Sequence, residues 1–109
     1  MTENEQRKRP VRTAEIELPE PFEGWKATVR TNIPMGVYDT LVGGKSWEEK
    51  IKALQQTVLE WNFVDDTGAL IPLEVSEMRR RLGFAEVKLM IRAIDQEIAD
   101  FLMGLNTPA

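Results

Sequence analysis

The stretch SWEEKIKALQQTVLEW, residues 46–61, decides the fold. Its first residues, Ser46 and Glu49, stand in the relation of a capping box, in which each side chain satisfies the other residue's free backbone N–H. Large apolar residues then recur every three or four positions, so they share one helical face. They are Trp47, Ile51, Leu54, Val58 and Trp61. The stretch therefore predicts an amphipathic helix that ends at Trp61 and packs one face against a core.

The residues that follow, NFVDDTGALIP at 62–72, predict a connector. Asn62 and the run 65–68 tolerate turn geometry, and residues 69–71 run extended before Pro72. A calcium loop would need alternating oxygen ligands and a distant bidentate glutamate, which are missing. Half of an aspartic-protease site would need a second Asp-Thr-Gly and a much longer chain. We interpret the run as a turn.

The residues before the helix that starts at Ser46 predict a β-hairpin and another, shorter helix. Alternating side chains in WKATVRT, residues 25–31, indicate a half-buried strand. Two prolines limit the preceding segment to a short strand at 16–18, and such a hairpin needs another surface to cover it. Pro34 suits the first turn of a helix, which the two glycines at 43–44 end.

Two more helices are predicted after the turn. Ser76 is a candidate cap for a short helix that Gly83 ends. The terminal helix, residues 85–103, has the most regular apolar period in the chain, and so short a seam is more often a core face than a coiled coil. Its stripe comprises Val87, Ile91, Ile94, Ile98, Phe101 and Leu105, widened by Met90 and Leu102.

These elements predict an α+β fold, predominantly helical, with a short N-terminal β-hairpin packed on about four helices. A chain of 109 residues accommodates one domain, which we assign to residues 14–109. Residues 1–13 are polar and of mixed charge, so they predict a flexible arm. Basic residues of this arm could contact nucleic acid, but its acidic residues dilute them.

The composition narrows the function. The net charge is −4, which disfavours binding to the phosphate backbone of nucleic acids. The absence of cysteine excludes thiolate metal sites, and the absence of histidine removes the commonest acid–base side chain. We expect no catalytic residues, no metal site and no cofactor. Neither a membrane span nor a signal peptide is recognisable, which predicts a cytoplasmic protein. An enzyme would need a pocket of carboxylates with raised pKa values, and no motif indicates one.

Two short motifs resemble functional sites, but each lacks features that such a site requires. Residues 43–46 end like a phosphate-binding loop but lack its upstream glycine and its preceding strand, so we interpret them as a helix stop and a cap. The arginines at 79–81, followed by a turn and a helix, outline a helix-turn-helix. Three consecutive arginines fan around a helix, however, and the domain is acidic, so nucleic acid is an unlikely partner.

The order of elements also resembles a known family. ELPEPFEGWKATVRTNIP (17–34), a capped helix, LEWNFVDDTGALIPLEVSEMRRRL (59–82) and a terminal helix resemble the small tail assembly chaperones of long-tailed bacteriophages of the siphophage type, over residues 15 to about 100. The resemblance implies the short form of a host-cytoplasmic chaperone that coats the tape measure protein, a long helical rod, and keeps it soluble. The tail tube protein would be recruited only through a frameshifted longer form.

We therefore expect a partner-binding groove that also serves as a self-association surface for a homo-oligomer. The exposed part of the terminal stripe would form it together with Trp25 or Trp47, since these tryptophans could lie in the core or at an interface. The candidate residues are Trp25, Trp47, Met90, Ile94, Ile98, Phe101, Leu102 and Leu105. The alternatives are a small DNA-binding regulator and another phage head–tail adaptor protein.

Overall fold

A computed structural model describes residues 12–106, with side chains described as far as Gly104. It confirms the α+β class, with four helices and one three-stranded antiparallel sheet in the described range. Most of the predicted arm, residues 1–11, lies outside that range, and Thr13 at its end already belongs to the first strand. The elements are β1 (Thr13–Glu17), β2 (Lys26–Arg30), α1 (Met35–Gly43), α2 (Trp47–Thr57), β3 (Val58–Trp61), α3 (Val75–Arg81) and α4 (Phe84–Asn106).

The predicted N-terminal hairpin is confirmed, although its first strand covers Thr13–Glu17 and not residues 16–18. Strands β1 and β2 pair antiparallel from Thr13 opposite Arg30 to Glu17 opposite Lys26. Their connection closes where the Gly24 N–H donates to the Glu17 carboxylate at 3.0 Å. Gly24 has φ of 85°, a conformation that costs glycine little because it has no Cβ.

The prediction of one helix from 47 to 61 is wrong over its last four residues. Helix α2 ends at Thr57, and the chain passes directly into β3, which pairs with β2 through Val29 opposite Val58 and Ala27 opposite Trp61. The apolar spacing alone is compatible with a helix. The second edge of β2 supplies partners for the backbone N–H and C=O groups of β3, and β-branched Val58 suits a strand.

The predicted helix starts hold to within a residue or two. The Glu49 N–H donates to Ser46 Oγ at 3.1 Å, which confirms Ser46 as the N-cap of α2 and is one of the two hydrogen bonds of a capping box. Pro34 precedes α1 directly. Helix α3 begins at Val75 with Glu74 as its N-cap, so the prediction of Ser76 as the cap is wrong and this residue lies inside the helix. Helix α4 begins at Phe84.

One apolar core joins the inner face of the sheet to α1, α2, α3 and α4. Part of it is an aromatic group in which Phe63 is fully buried and two partly buried tryptophans pack against it. The Phe63 ring stacks on Trp61 at 4.6 Å between centroids and meets Trp25 at 5.1 Å. The indole N–H of Trp61 donates to the Ile71 carbonyl oxygen at 2.7 Å, which ties β3 to the segment after the turn. Other fully or nearly fully buried residues are Leu18, Val29, Leu41, Leu54, Met78, Met90 and Ile94.

The Asp-Asp-Thr-Gly run is a turn, as predicted. Asp65 Oδ1 accepts hydrogen bonds from the Thr67 hydroxyl at 2.6 Å, the Thr67 N–H at 2.8 Å and the Ala69 N–H at 3.1 Å. Asp65 Oδ2 accepts from Arg81 Nε at 2.8 Å, which fastens the turn to α3. Gly68 takes the positive φ of 84°. The Thr67 hydroxyl and its N–H, with Arg81 and Ala69, hold the pKa of Asp65 well below its usual range.

This turn predicts a loss of stability in acid. Because the pKa of Asp65 is lower in the folded protein than the value of about 3.9 in an unfolded chain, its contribution is present above that pH and is lost as the pH falls through the folded pKa. We expect Asp65→Ala to melt several degrees below wild type at neutral pH. The difference in melting temperature between the variant and wild type should narrow as the pH falls from about 5 to about 2, which circular-dichroism melts measure.

The neighbouring Asp66→Ala is the matched control, because Asp66 is exposed and its substitution removes the same charge. It should melt close to wild type at every pH. A gap between wild type and Asp65→Ala that does not change with pH would contradict the assigned role of the carboxylate.

Candidate partner-binding surface

A cleft of about 430 Å³ opens between the start of α1 and the last turns of α4. The connection from β2 to α1 forms its third side. That connection is held in place where the Thr31 N–H donates to the Arg12 carbonyl oxygen at 2.9 Å. The lining residues are Thr31, Asn32, Ile33, Met35, Tyr38, Ile98, Phe101 and Leu102.

The cleft has an apolar floor and an exposed apolar rim. Ile98 is buried at its base, and Phe101 is half-buried beside it. On the rim, Met35 is 78% exposed and Leu102 is 51% exposed, and Met103 next to Leu102 is 68% exposed. Large apolar side chains grouped in this way on a surface make the cleft a candidate interaction site.

Polar contacts hold the walls of the cleft. The Tyr38 hydroxyl donates to Asp95 Oδ1 at 2.8 Å and thereby joins α1 to α4. The hydrogen bond to Asp95, with partial desolvation, raises the pKa of Tyr38 above its ordinary value. The Arg12 guanidinium lies 5.1 Å from the centroid of the Phe101 ring, a cation–π contact that orients this ring.

Three of the predicted site residues come together in the cleft: Ile98, Phe101 and Leu102. Met90 and Ile94 instead lie in the core with no exposed surface, so they are corrected from surface residues to packing residues. The physical reason is that the sheet and the other helices cover the first turns of the α4 stripe, and only its last turns emerge. The side chain of Leu105 lies outside the described residues.

The two candidate tryptophans do not line the cleft. Trp25 is half-buried and contacts Phe22 at 5.3 Å between ring centroids, as well as Phe63. It therefore packs against the core. Trp47 is 40% exposed and lies 4.6 Å from the Phe84 ring, at the N-terminal ends of α2 and α4.

Sequence reasoning missed Met35 and Ile33. Both belong to the entry into α1, whose buried residue is Leu41. An apolar residue that lies off the buried stripe of its own helix was the available signal, because such a side chain has no core position to occupy. Met35 directly after Pro34 is that residue.

The arginines at 79–81 form ion pairs with carboxylates of this chain. Each guanidinium contacts an acidic side chain, and two of these contacts reach other segments of the fold. The run therefore ties α3 to α2 and to the turn. The pairs are Arg79 Nη1 with Glu48 Oε2 at 3.1 Å, Arg80 Nη2 with Glu77 Oε2 at 2.6 Å, and Arg81 Nε with Asp65 Oδ2 at 2.8 Å.

Residues 12–106 contain neither a cluster of metal ligands nor a membrane-spanning helix. No group of three or more acidic side chains there is arranged to hold a metal ion. None of the helices in this range combines the length and apolar character needed to traverse a bilayer.

Comparison with known proteins identifies no relative. No protein-family model, no curated protein and no solved structure matches this chain. The function proposed for the cleft therefore depends on the residues of this chain and on the order of its sequence elements.

Proposed function

We propose that this protein is a non-catalytic tail assembly chaperone of a long-tailed bacteriophage. In the host cytoplasm it would bind the tape measure protein and keep it soluble while the tail assembles. The sequence resemblance supports the class of protein. The observation that carries the proposal is the apolar cleft between α1 and α4, with Met35 and Leu102 exposed on its rim.

The shape and chemistry of the cleft suit an amphipathic helix. Helix-in-groove recognition needs an apolar trough that takes side chains one helical turn apart. Ile98 and Phe101 provide the floor of such a trough, and Met35 provides one wall. The cleft is open at the protein surface, so a long helix can lie along it without the end of a chain having to enter.

The methionines suit a partner of varied sequence. A chaperone for a long rod meets many different apolar segments, and methionine adapts to them because it is unbranched and has a polarizable thioether. Met35 and Met103 are the two most exposed large apolar residues of the described chain. The net charge of −4 would help to keep the resulting complex in solution.

Co-expression tests the proposal. The protein is produced with and without the tape measure protein of the same phage, and soluble tape measure protein is quantified after pull-down. We expect the tape measure protein to remain soluble and to co-purify only when this chain is present. No co-purification together with no gain in solubility would refute the proposal. A gel shift of non-specific duplex DNA at low salt would favour the regulator alternative instead.

A further inference from the structure

A second apolar surface lies at the other end of α4. Trp47 and Phe84, the first residues of α2 and α4, meet edge to face with ring centroids 4.6 Å apart and planes at 66°. Trp47 is 40% exposed and Phe84 is 60% exposed. The rings contact each other, and much of their apolar surface still faces solvent. We call these two residues and their lysine neighbours the aromatic pair surface.

Two lysines give this surface a positive charge. Lys50 Nζ lies 4.7 Å from the centroid of the Trp47 ring, and Lys88 Nζ lies 5.6 Å from that of Phe84. The carboxylate of Glu48, next to Trp47 in the chain, is engaged by Arg79 at 3.1 Å. Glu49 and Glu86 are the other carboxylates close to the rings in the sequence, and they line clefts that contain neither ring. Lys50 and Lys88 are therefore the charged side chains that contact the rings.

We propose that the aromatic pair surface docks an acidic segment of a partner protein. A large apolar side chain of the segment seats against Trp47 and Phe84, and flanking carboxylates bind Lys50 and Lys88. Aromatic residues are enriched among the anchors of protein interfaces, and complementary charge at the rim selects the partner and speeds its association.

The charges of the chain favour a protein segment over the other occupants. Exposed aromatic rings with lysines also suit single-stranded nucleic acid, but such sites follow the phosphate backbone with a continuous positively charged groove, and these rings are flanked by two separate lysines. The proposal is independent of the cleft at the other end of α4, because none of its residues lines that cleft. The two surfaces differ in chemistry as well, since the cleft has a methionine rim and a tyrosine held by a carboxylate.

Synthetic peptides test this proposal on the intact protein. The first peptide is fluorescein-labelled and alternates Glu or Asp with Leu and Trp. One twin has Lys in place of every acidic residue, and a second twin has Ser in place of every apolar residue. Fluorescence anisotropy should show that the first peptide binds at least about tenfold more tightly than either twin.

Charge reversal at the site provides the second measurement. The double variant Lys50→Glu/Lys88→Glu should weaken binding of the first peptide at least about tenfold. Lys52→Glu/Arg92→Glu changes the net charge equally at exposed positions of the same two helices and should leave binding unchanged. Phe84→Ser should also weaken binding, because it removes an exposed ring while the core stays intact.

Several results would overturn the proposal. They are the absence of binding by the first peptide, equal binding by the lysine twin, and an equal loss in the Lys52→Glu/Arg92→Glu control. Tighter binding of labelled oligothymidylate would assign the surface to nucleic acid. Self-association in sedimentation velocity that Lys50→Glu/Lys88→Glu abolishes and the peptide does not displace would assign it to a second copy of the chain.

Discussion

Phe63→Ala is expected to lower the free energy of unfolding by about 3–5 kcal/mol, the largest effect of any single substitution proposed for this protein. Phe63 is fully buried and its ring contacts those of Trp25 and Trp61, so truncation leaves a cavity in the core. Domains of this size are stable by only about 5–15 kcal/mol. The variant should therefore unfold at a much lower urea concentration.

Phe84→Ala is the matched control for this prediction. It removes the same atoms from a ring that is 60% exposed and contacts Trp47, so it should lower the free energy of unfolding by about 1 kcal/mol or less. Urea denaturation followed by tryptophan fluorescence and circular dichroism measures both. Equal destabilisation by the two variants would mean that burial of the Phe63 ring does not set the stability of the core.

The second large effect is expected from two charges placed on the rim of the cleft. Met35→Glu/Leu102→Glu should reduce co-purified tape measure protein at least about tenfold, because an apolar partner side chain would then have to desolvate a carboxylate. The variant should still fold, since Met35 is 78% and Leu102 is 51% exposed in the free protein. Its melting temperature measures this directly.

Leu59→Glu/Leu70→Glu is the control for the rim variant. It makes the same change of charge and apolarity at side chains that are 42% and 58% exposed and do not line the cleft. Tape measure protein should co-purify with it as with wild type. An equal loss in the control would show that net charge, and not the cleft, governs the interaction. Full retention by the rim variant would remove the cleft from the proposed function.

Local signals in the sequence were sufficient for much of the fold. The capping box at Ser46 and the alternation of residues 25–31 predict a helix start and a strand that the structure confirms. The turn at 65–68 was predicted from residues that tolerate its geometry, and Asp65 completes it with bonds to its immediate neighbours. These features depend on contacts within a few residues of the chain, which is why the sequence indicates them.

The candidate site was predictable only in part. The regular stripe of α4 indicates which residues face inward, and it led to Ile98, Phe101 and Leu102 in the cleft. The stripe cannot indicate at which residue the rest of the fold stops burying α4, because Met90 and Leu102 have equally apolar side chains. The function proposed here still depends on the resemblance read from the sequence and on that cleft.

The sequence by itself determined the fold class, the positions where most elements begin and the acidic, cysteine-free chemistry of the chain, because composition and short-range backbone preferences are properties of neighbouring residues. Only the tertiary structure decided that residues 58–61 leave the helix to pair with β2, that Met90 and Ile94 are buried, and that Met35 borders the cleft. Those outcomes depend on surfaces brought together from distant parts of the chain, where an apolar residue is equally suited to a core and to an interface.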